Sequence, residues 1–275
     1  MQMFCDLHTH STASDGQHSP RELAALVREA GIECWALTDH DTLDGLPEAA
    51  QAARELGLRF LPGVELSARE YPTYHILGYG FSPESPELEG LCREMKDSRY
   101  QRNLQILDFL HGKGLELSLE EALEQAGGEV LGRPHFALAL LKRGYVSSTR
   151  EAFDRYLDSE EYRRHVKRQR PTATRCIETI HAAGGLVSLA HPYQIGLEGT
   201  ALEALVGELK EAGLDALECY YSRYTPEQRD FYLSLAKRFD LRITGGSDFH
   251  GHSVKPDVDL TPWPLETDWL PLKHA

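Results

Sequence analysis

The sequence predicts an α/β fold, a small and irregular barrel of about seven strands, and three observations carry that prediction. Short apolar runs alternate with longer segments of helical spacing, the pattern of parallel βα units. Many of the runs end at a histidine or a carboxylate, which suits a barrel whose strand ends share a chemical rim. At 275 residues the chain is long enough for one barrel and an insertion.

The runs fall at residues 4–7, 34–38, 60–66, 75–79, 186–190, 216–220 and 241–244. Several are rich in Val, Ile, Leu, Tyr or Phe and stop at polar residues, as buried strands do. Between them lie helical patterns at 20–30, 46–56, 172–183, 202–212 and 226–239, the last starting at a proline, which suits a first helical turn. The run that begins at His75 starts with its polar residue instead of ending on it. An antiparallel hairpin between Glu65 and His75 would return that histidine to the same rim, so the sheet is expected to be mixed.

From 97 to 170 the rhythm changes to helices alone, at 98–111, 119–125, 134–143 and 149–157. This gives a discontinuous barrel, residues 1–96 and 171–275, carrying a helical insertion at 97–170. The tail 261–275 is expected to be an extended arm packed on the barrel.

Composition excludes several classes. Lys plus Arg minus Asp plus Glu is −14, the wrong sign for a general coat on duplex DNA. No apolar run approaches the ~18 residues needed to span a bilayer. The opening MQMFCDLHTH places an acid and two histidines where a signal peptide is apolar, and the five scattered cysteines show no C-x-x-C. The expectation is a cytoplasmic protein with no membrane partner and no disulfide framework.

The chemistry gathers at the strand ends. His8 and His10 are spaced to face one side of an extended chain, and Asp15 follows in a turn. His40, Glu65, His75, His191, Asp248 and His250 stand at the ends of later strands. Each alone is ordinary, and Asp39 and Asp41 read as turn residues. Nine ligand-type side chains on successive strand ends exceed the need of one ion and fit a cluster of two or three. Imidazole and carboxylate without thiolate suit Mn, Zn or Fe. Closely held dications with open positions make a hydrolase, by activating water and binding the anion under attack.

These residues resemble a family. D-L-H-x-H with S-D-G downstream, T-D-H, G-x-E, H-P and G-S-D-x-H are similar to the motifs of the PHP (polymerase and histidinol phosphatase) metal phosphoesterases, an amidohydrolase-like group. The likeness runs from Cys5 to His250 and skips the insertion. It implies a distorted seven-stranded β/α barrel of PHP type and two or three divalent ions, manganese first, with zinc and iron as alternatives. It implies His8, His10, Glu65 and Asp248 around one ion. Glu65 would bridge to a second, shared with His75 and His191, and Asp15, His40 and His250 would surround a third. Attack then falls to a metal-bound hydroxide, not to a side-chain nucleophile.

Gly132-Arg133-Pro134-His135-Phe136-Ala137 resembles a signature of the branch containing nucleoside 3′,5′-bisphosphate phosphatases and 5′-3′ exoribonucleases. Pro134 suits a helix start, whose free N–H groups favour an anion. Arg133 offers a planar fork for phosphate and His135 another donor. From the residues alone, a helix start with a solvated arginine stands equally. Arg102 and Asn103 are a polar pair either reaching a ligand or on a solvated face. The basic run 163–170 is a solvated face or a guide for the 5′ end of an RNA.

The expected function is removal of the 3′-phosphate from nucleoside 3′,5′-bisphosphates, with trimming of short single-stranded 5′-phosphorylated RNA beside it. The expected partner is thus a small phosphorylated nucleotide. The alternatives are a small-metabolite phosphatase of the histidinol-phosphatase kind, a non-catalytic accessory module and an amide hydrolase. The long insertion and the full ligand set weigh against them.

Overall fold

The computed structural model describes residues 2–126 and 130–272. Eight strands form one sheet: β1 (Gln2–Asp6), β2 (Cys34–Leu37), β3 (Arg59–Ser67), β4 (His75–Tyr79), β5 (Leu186–Leu189), β6 (Ala216–Tyr221), β7 (Arg242–Gly246) and β8 (Trp263–Glu266). Their order is β7-β6-β5-β4-β3-β2-β1-β8. The pairs β1–β2, β2–β3, β5–β6 and β6–β7 are parallel. β4 is antiparallel to both neighbours, and His75 pairs with Ser67. The mixed sheet is therefore the hairpin that the polar start of β4 requires.

Past their ends, β1 and β7 come together. Leu7 N donates to Gly245 O at 3.0 Å, Asp248 N to His8 O at 2.8 Å and His10 N to Phe249 O at 2.9 Å. The result is a nearly closed barrel. The expected count of seven strands is one short, because β8 pairs antiparallel with β1. Four residues with Pro264 among them do not read as a strand. Proline is tolerated here because the pairing lies at a sheet edge. The tail is thus an arm that has become a strand, with Trp263 stacked on Tyr220 at 5.5 Å. Residues 273–275 of the expected arm lie outside the described residues.

Ten α-helices are described: α1 (Pro20–Glu29), α2 (Leu46–Leu56), α3 (Pro86–Gly112), α4 (Leu119–Leu123), α5 (Arg133–Lys142), α6 (Thr149–Ala152), α7 (Glu160–His165), α8 (Ala173–Ala182), α9 (Gly199–Glu211) and α10 (Pro226–Arg238). Local signals set their ends. Ser19 with Glu22 and Thr225 with Gln228 form capping boxes ahead of α1 and α10, each followed by proline. Gly57, at φ 68°, stops α2 in the left-handed region.

Strand side chains alternate between two apolar clusters. Trp35 and Leu37 join the large core under the outer helices, while Cys34 and Ala36 face a smaller cluster with Cys5, Leu7, Leu61, Leu77 and Tyr79. Glu65 follows Leu61 at even spacing, and His75 precedes Leu77, so both carry the inner face up to the rim. All five cysteines are buried and free. Among the described residues, no helix is long and apolar enough to cross a membrane.

The helix expected at 98–111 begins twelve residues earlier in α3, which crosses residues 96 and 97 without a break. Its first half puts Leu88, Leu91, Cys92 and Met95 into the barrel's core; its second half puts Ile106, Phe109 and Leu110 into a separate cluster with Phe136, Leu140 and Leu157. One helix is thus shared by two cores. A π-helical turn at Phe153–Leu157 continues α6.

β8 seals the smaller cluster through Leu265, which is 2% exposed, whereas Phe4 on its partner strand is 51% exposed. Leu265→Ala should cost about 2–5 kcal/mol in urea unfolding. Phe4→Ala should stay within about 0.5 kcal/mol. Equal effects would show that β8 is not part of the folded core.

Candidate metal centre

β1 runs into Leu7-His8-Thr9-His10, and the backbone bonds to the segment after β7 hold both histidines at the rim. Close packing makes glycine necessary at two points. A Cβ on Gly246 would collide with His8, and one on Gly16 would collide with the His10 carbonyl. After β2, Asp39 accepts from Ser11 N at 2.8 Å and from the hydroxyls of Ser11 and Ser14 at 2.7 and 2.6 Å. It pins the loop that carries Asp15. His40 pairs with Glu65 in a parallel bridge.

Glu65 lies at the centre and is fully buried. Its Oε2 is 3.3 Å from His8 Nε2, 3.2 Å from His10 Nε2 and 2.9 Å from His40 Nδ1. Its Oε1 is 2.8 Å from His75 Nδ1 and 2.9 Å from His191 Nε2. Asp248 Oδ1 lies 3.6 Å from His8 Nε2, 3.3 Å from His10 Nε2 and 3.4 Å from His250 Nδ1. Asp15, nearer to solvent, places Oδ1 3.3 Å from His250 Nε2 and Oδ2 3.9 Å from His40 Nε2. All nine expected residues therefore meet in one place.

Three sets of ligand atoms each fall within 4.8 Å: His8, His10, Glu65 and Asp248; His10, Asp15, His40 and His250; and His40, Glu65 and His75. Expected and observed groupings differ in detail. His10 and His40 each belong to two sets, and His191 touches Glu65 from outside them.

The residues fit divalent ions on two grounds. His8 Nε2, both nitrogens of His10, His40 Nδ1, Glu65 Oε2 and His191 Nδ1 are buried without a hydrogen-bond partner. Unpartnered polar atoms in an interior are costly, and bound cations remove that cost for most of them together. Charge gives the second ground. Burial pulls His8 down, but Glu218, Glu65 and Asp248 outweigh it and hold His8 well above its usual value. Burial likewise opposes the proton on His10, yet Asp248 and Glu65 raise it to about 9. Burial would raise Glu65, and the imidazoles of His40, His75 and His8 hold it well below the carboxylate range. His75 and His250, by contrast, are pushed by burial down to about 4 and are neutral.

Several supporting residues escaped the sequence reading. Glu218 on β6 is fully buried; its Oε1 is 2.9 Å from His8 Nδ1 and its Oε2 accepts from His191 N at 2.6 Å. A carboxylate inside an apolar strand was the available signal, because buried charge needs a partner. Lys255 Nζ and Tyr221 OH both donate to Asp248 Oδ2, at 2.6 and 2.7 Å, leaving Oδ1 toward the histidines. Asp41 is another. It accepts from Arg99 at 2.5 Å and Arg168 at 2.6 Å, and from Ser67 N at 2.8 Å, which ties the insertion to the rim beside His40.

The insertion residues are placed unequally. Arg102 and Asn103 are buried, with Arg102 Nε and Asn103 Oδ1 lacking partners. Burial and the neighbouring guanidiniums of Arg99 and Arg168 lower Arg102 to about 9. Arg133 is the first residue of α5 and Pro134 the second. Arg133 donates to Leu157 O at 3.3 Å and to Asp158 at 3.0 Å. His135 Nδ1 accepts from Gly132 N at 3.0 Å. Burial lowers His135, opposed by the charge of Asp15, which brings it into electrostatic reach of the cluster. The basic run is no open stripe: Arg163 pairs with Asp158, Arg164 with Glu160 and Arg168 with Asp41, while Arg170 donates to the Ala68 and Pro72 carbonyls.

Two outcomes follow from this geometry. An ion must displace the protons of His8 and His10, because the raised values keep both charged at pH 7 and ligation needs neutral imidazole. Calorimetry in buffers of different protonation enthalpy should therefore show proton release at pH 7, declining as pH rises past about 9, the value of His10. Heat independent of buffer would contradict the charge states. Separately, Glu218 keeps the His8 proton on Nδ1 and turns Nε2 to the cluster. Glu218→Gln should weaken metal retention about 10–100-fold on dialysis against a metal buffer; unchanged retention would remove that role.

Comparison with known proteins points to one family. The PHP domain model matches residues 6–212. A 5′-3′ exoribonuclease from Haemophilus influenzae is 39% identical over 246 residues, covering 89% of both chains. A 3′,5′-nucleoside bisphosphate phosphatase from Chromobacterium violaceum is 32% identical and covers 94% of this chain and 92% of the relative. A phosphoribosyl 1,2-cyclic phosphate 1,2-diphosphodiesterase from Eggerthella lenta is also 32% identical, covering 90% and 95%. The solved structure of an amidohydrolase from Chromobacterium violaceum with bound sulfate superposes with a TM-score of 0.79 at 31% identity, covering 94% and 92%. By the length of the matched domain and the reach of these likenesses, the chain belongs to the PHP family.

Proposed function

We propose that the protein is a metal-dependent phosphoesterase that removes the 3′-phosphate of nucleoside 3′,5′-bisphosphates. The observation that carries this is a nine-residue histidine and carboxylate cluster whose His40 is followed by Asp41, itself held by Arg99 and Arg168, with the buried Arg102 close to both arginines; Arg102 and Arg168 keep unpartnered Nε–H donors. One part suits a phosphate under attack and the other a second anion on the same small molecule.

The first ion is assigned to His8, His10, Glu65 and Asp248. The second is assigned to Glu65, His75 and His191, and the third to Asp15, His40 and His250. Manganese is the metal of choice for this oxygen and nitrogen set, with zinc and iron as alternatives. When bound, such ions acidify water and neutralise phosphate oxygens. The described residues lining the metal pocket include no serine or cysteine, and the attack on phosphorus is assigned to water. The 3′-oxygen then leaves with a proton, giving a nucleoside 5′-phosphate and inorganic phosphate. Arg102 and Arg133, with Asn103 and His135, bind the rest of the substrate, the arginines taking the 5′-phosphate. The barrel is assigned as a discontinuous unit, 1–96 with 171–275, and the insertion 97–170 as the element that shapes the pocket over it.

A second activity needs no second site. Trimming a short 5′-phosphorylated RNA from its 5′ end breaks the same bond between phosphorus and the 3′-oxygen of a nucleotide whose 5′-phosphate is held. Only the group carried on the attacked phosphorus differs. The substrates are assigned as a small phosphorylated nucleotide and single-stranded RNA ends, and the net charge of −14 weighs against duplex DNA.

The test is turnover by metal-reconstituted protein on a panel of phosphate esters. It holds 3′,5′-bisphosphonucleotides, 5′-phosphorylated short RNA, histidinol phosphate, sugar phosphates and a ribosyl 1,2-cyclic phosphate. The first two should turn over fastest, and chelator should abolish the rate. Faster hydrolysis of histidinol phosphate or of the cyclic phosphate would overturn the assignment. Arg133→Ala should lower kcat/KM for a bisphosphate about ten- to a hundred-fold, the worth of a charge-assisted phosphate bond. A 3′-monophosphate should lose little. Equal proportional losses would show that Arg133 does not read the 5′-phosphate.

A further inference from the structure

A cavity of about 190 Å³ opens between the barrel rim and the insertion, and His40 lines both this cavity and the metal pocket. The two spaces are therefore neighbours across one imidazole. Phosphate chemistry does not explain the lining of the second. Tyr100, Leu119, Leu123 and Leu131 contribute apolar surface to it. Tyr100 is 50% exposed and Leu123 42% exposed, large apolar groups left uncovered on the wall of a concave site. Arg99 also lines the cavity, but its guanidinium is committed to Asp41.

Polar groups also line the cavity, His40, Asp41, Thr42 and Lys96 among them, and one more stands out. Asn103 is 5% exposed, lines the cavity and carries an Oδ1 without a hydrogen-bond partner. A buried acceptor without a donor is costly and marks a place where a ligand donor fits. Tyr100 and Asn103 both stand on α3, three residues apart, so they share one face of the helix. An aromatic face beside an amide acceptor is the chemistry that receives a flat heteroaromatic ring with an N–H edge.

We propose that this cavity holds the nucleobase of the substrate, with the Tyr100 ring stacked on it and Asn103 Oδ1 accepting from a base N–H. The proposal rests on the nucleotide reading of the metal pocket. In a 3′,5′-bisphosphonucleotide the base and the 3′-phosphate are carried by one ribose, so the base site must adjoin the phosphate site. The shared His40 wall supplies that adjacency. Tyr100 and Asn103 are then the residues that separate a nucleotide from a sugar phosphate of equal charge.

The experiment measures binding of two product-like ligands to the full-length, metal-loaded protein by calorimetry. Adenosine 5′-phosphate carries the base, and ribose 5-phosphate lacks it. The nucleotide should bind about tenfold or more tighter, the effect of one stacked base. Tyr100→Ala should bring the two affinities within about twofold of each other, whereas Tyr100→Phe should keep the preference, because the ring and not the hydroxyl stacks. Tyr100 is half exposed, so the melting temperature of both variants checks that the fold is unchanged. Equal affinity of the wild-type protein for the two ligands would overturn the base site, as would a preference that survives Tyr100→Ala. Neither result touches the phosphoesterase reading, which stands or falls on turnover of the bisphosphonucleotide. Failure of that turnover removes both.

Discussion

Glu65 is the residue on which the rest of the site depends. One carboxylate, buried completely, touches five imidazoles that arrive from four different strand ends. Such a group is expensive to bury unless its charge is matched. The histidines match it only in part, because several of their nitrogens remain unpartnered. The cluster is therefore built to be completed by cations, and completing it stabilises the fold as well as the chemistry. Barrel closure and site formation are the same event. The bond from Asp248 N to His8 O, which joins the segments after β7 and β1, also sets two of the cluster's side chains side by side.

The rim also stores backbone strain. Among the described residues, four that are not glycine have positive φ, and three of them, Asp41 at 59°, His191 at 25° and Asp248 at 58°, lie here. Such conformations persist only where the surroundings over-determine them. At Asp41 those surroundings are visible. Its carboxylate takes Arg99, Arg168 and two donors of Ser67, and burial, which would raise it, is outweighed by the two guanidiniums that hold it below the usual range. Seating of the insertion and orientation of the adjacent His40 are thus one constraint.

What the sequence shows and what it hides follow from the range of each interaction. His8 and His10, two apart, and His75 at the polar start of a strand declare themselves locally, because period and strand ends fix where they go. The antiparallel β4 was legible for the same reason. β8 was not, since four residues including Pro264 gain strand geometry only from pairing with β1. The early start of α3 was hidden because its first half is specified by the barrel's core and its second by another cluster. Glu218 and Asp41 were missed as partners because each acts across the fold, 210 residues from His8 in one case and 127 from Arg168 in the other. The basic run, open in sequence between a solvated face and an RNA guide, shows the opposite case. Contiguous in sequence, its arginines disperse in space to separate carboxylates and carbonyls.

That dispersal bears on how a protein of net charge −14 takes an anion. The long-range field of the chain repels phosphate, and screening confines any attraction to about a Debye length, ~8 Å at physiological salt. Recognition must then come from charges held at contact distance. Divalent ions held by the cluster would outweigh the carboxylates of Asp15, Glu65 and Asp248 and make the local sign positive. Beside it Arg102 and Arg168 are already desolvated, and burial lowers both, to about 9 and about 10, without discharging them at neutral pH. A guanidinium that has lost its water before the ligand arrives gives a stronger bond to phosphate than one on an open face. Such a pocket offsets a net charge of −14 locally, without needing a basic surface.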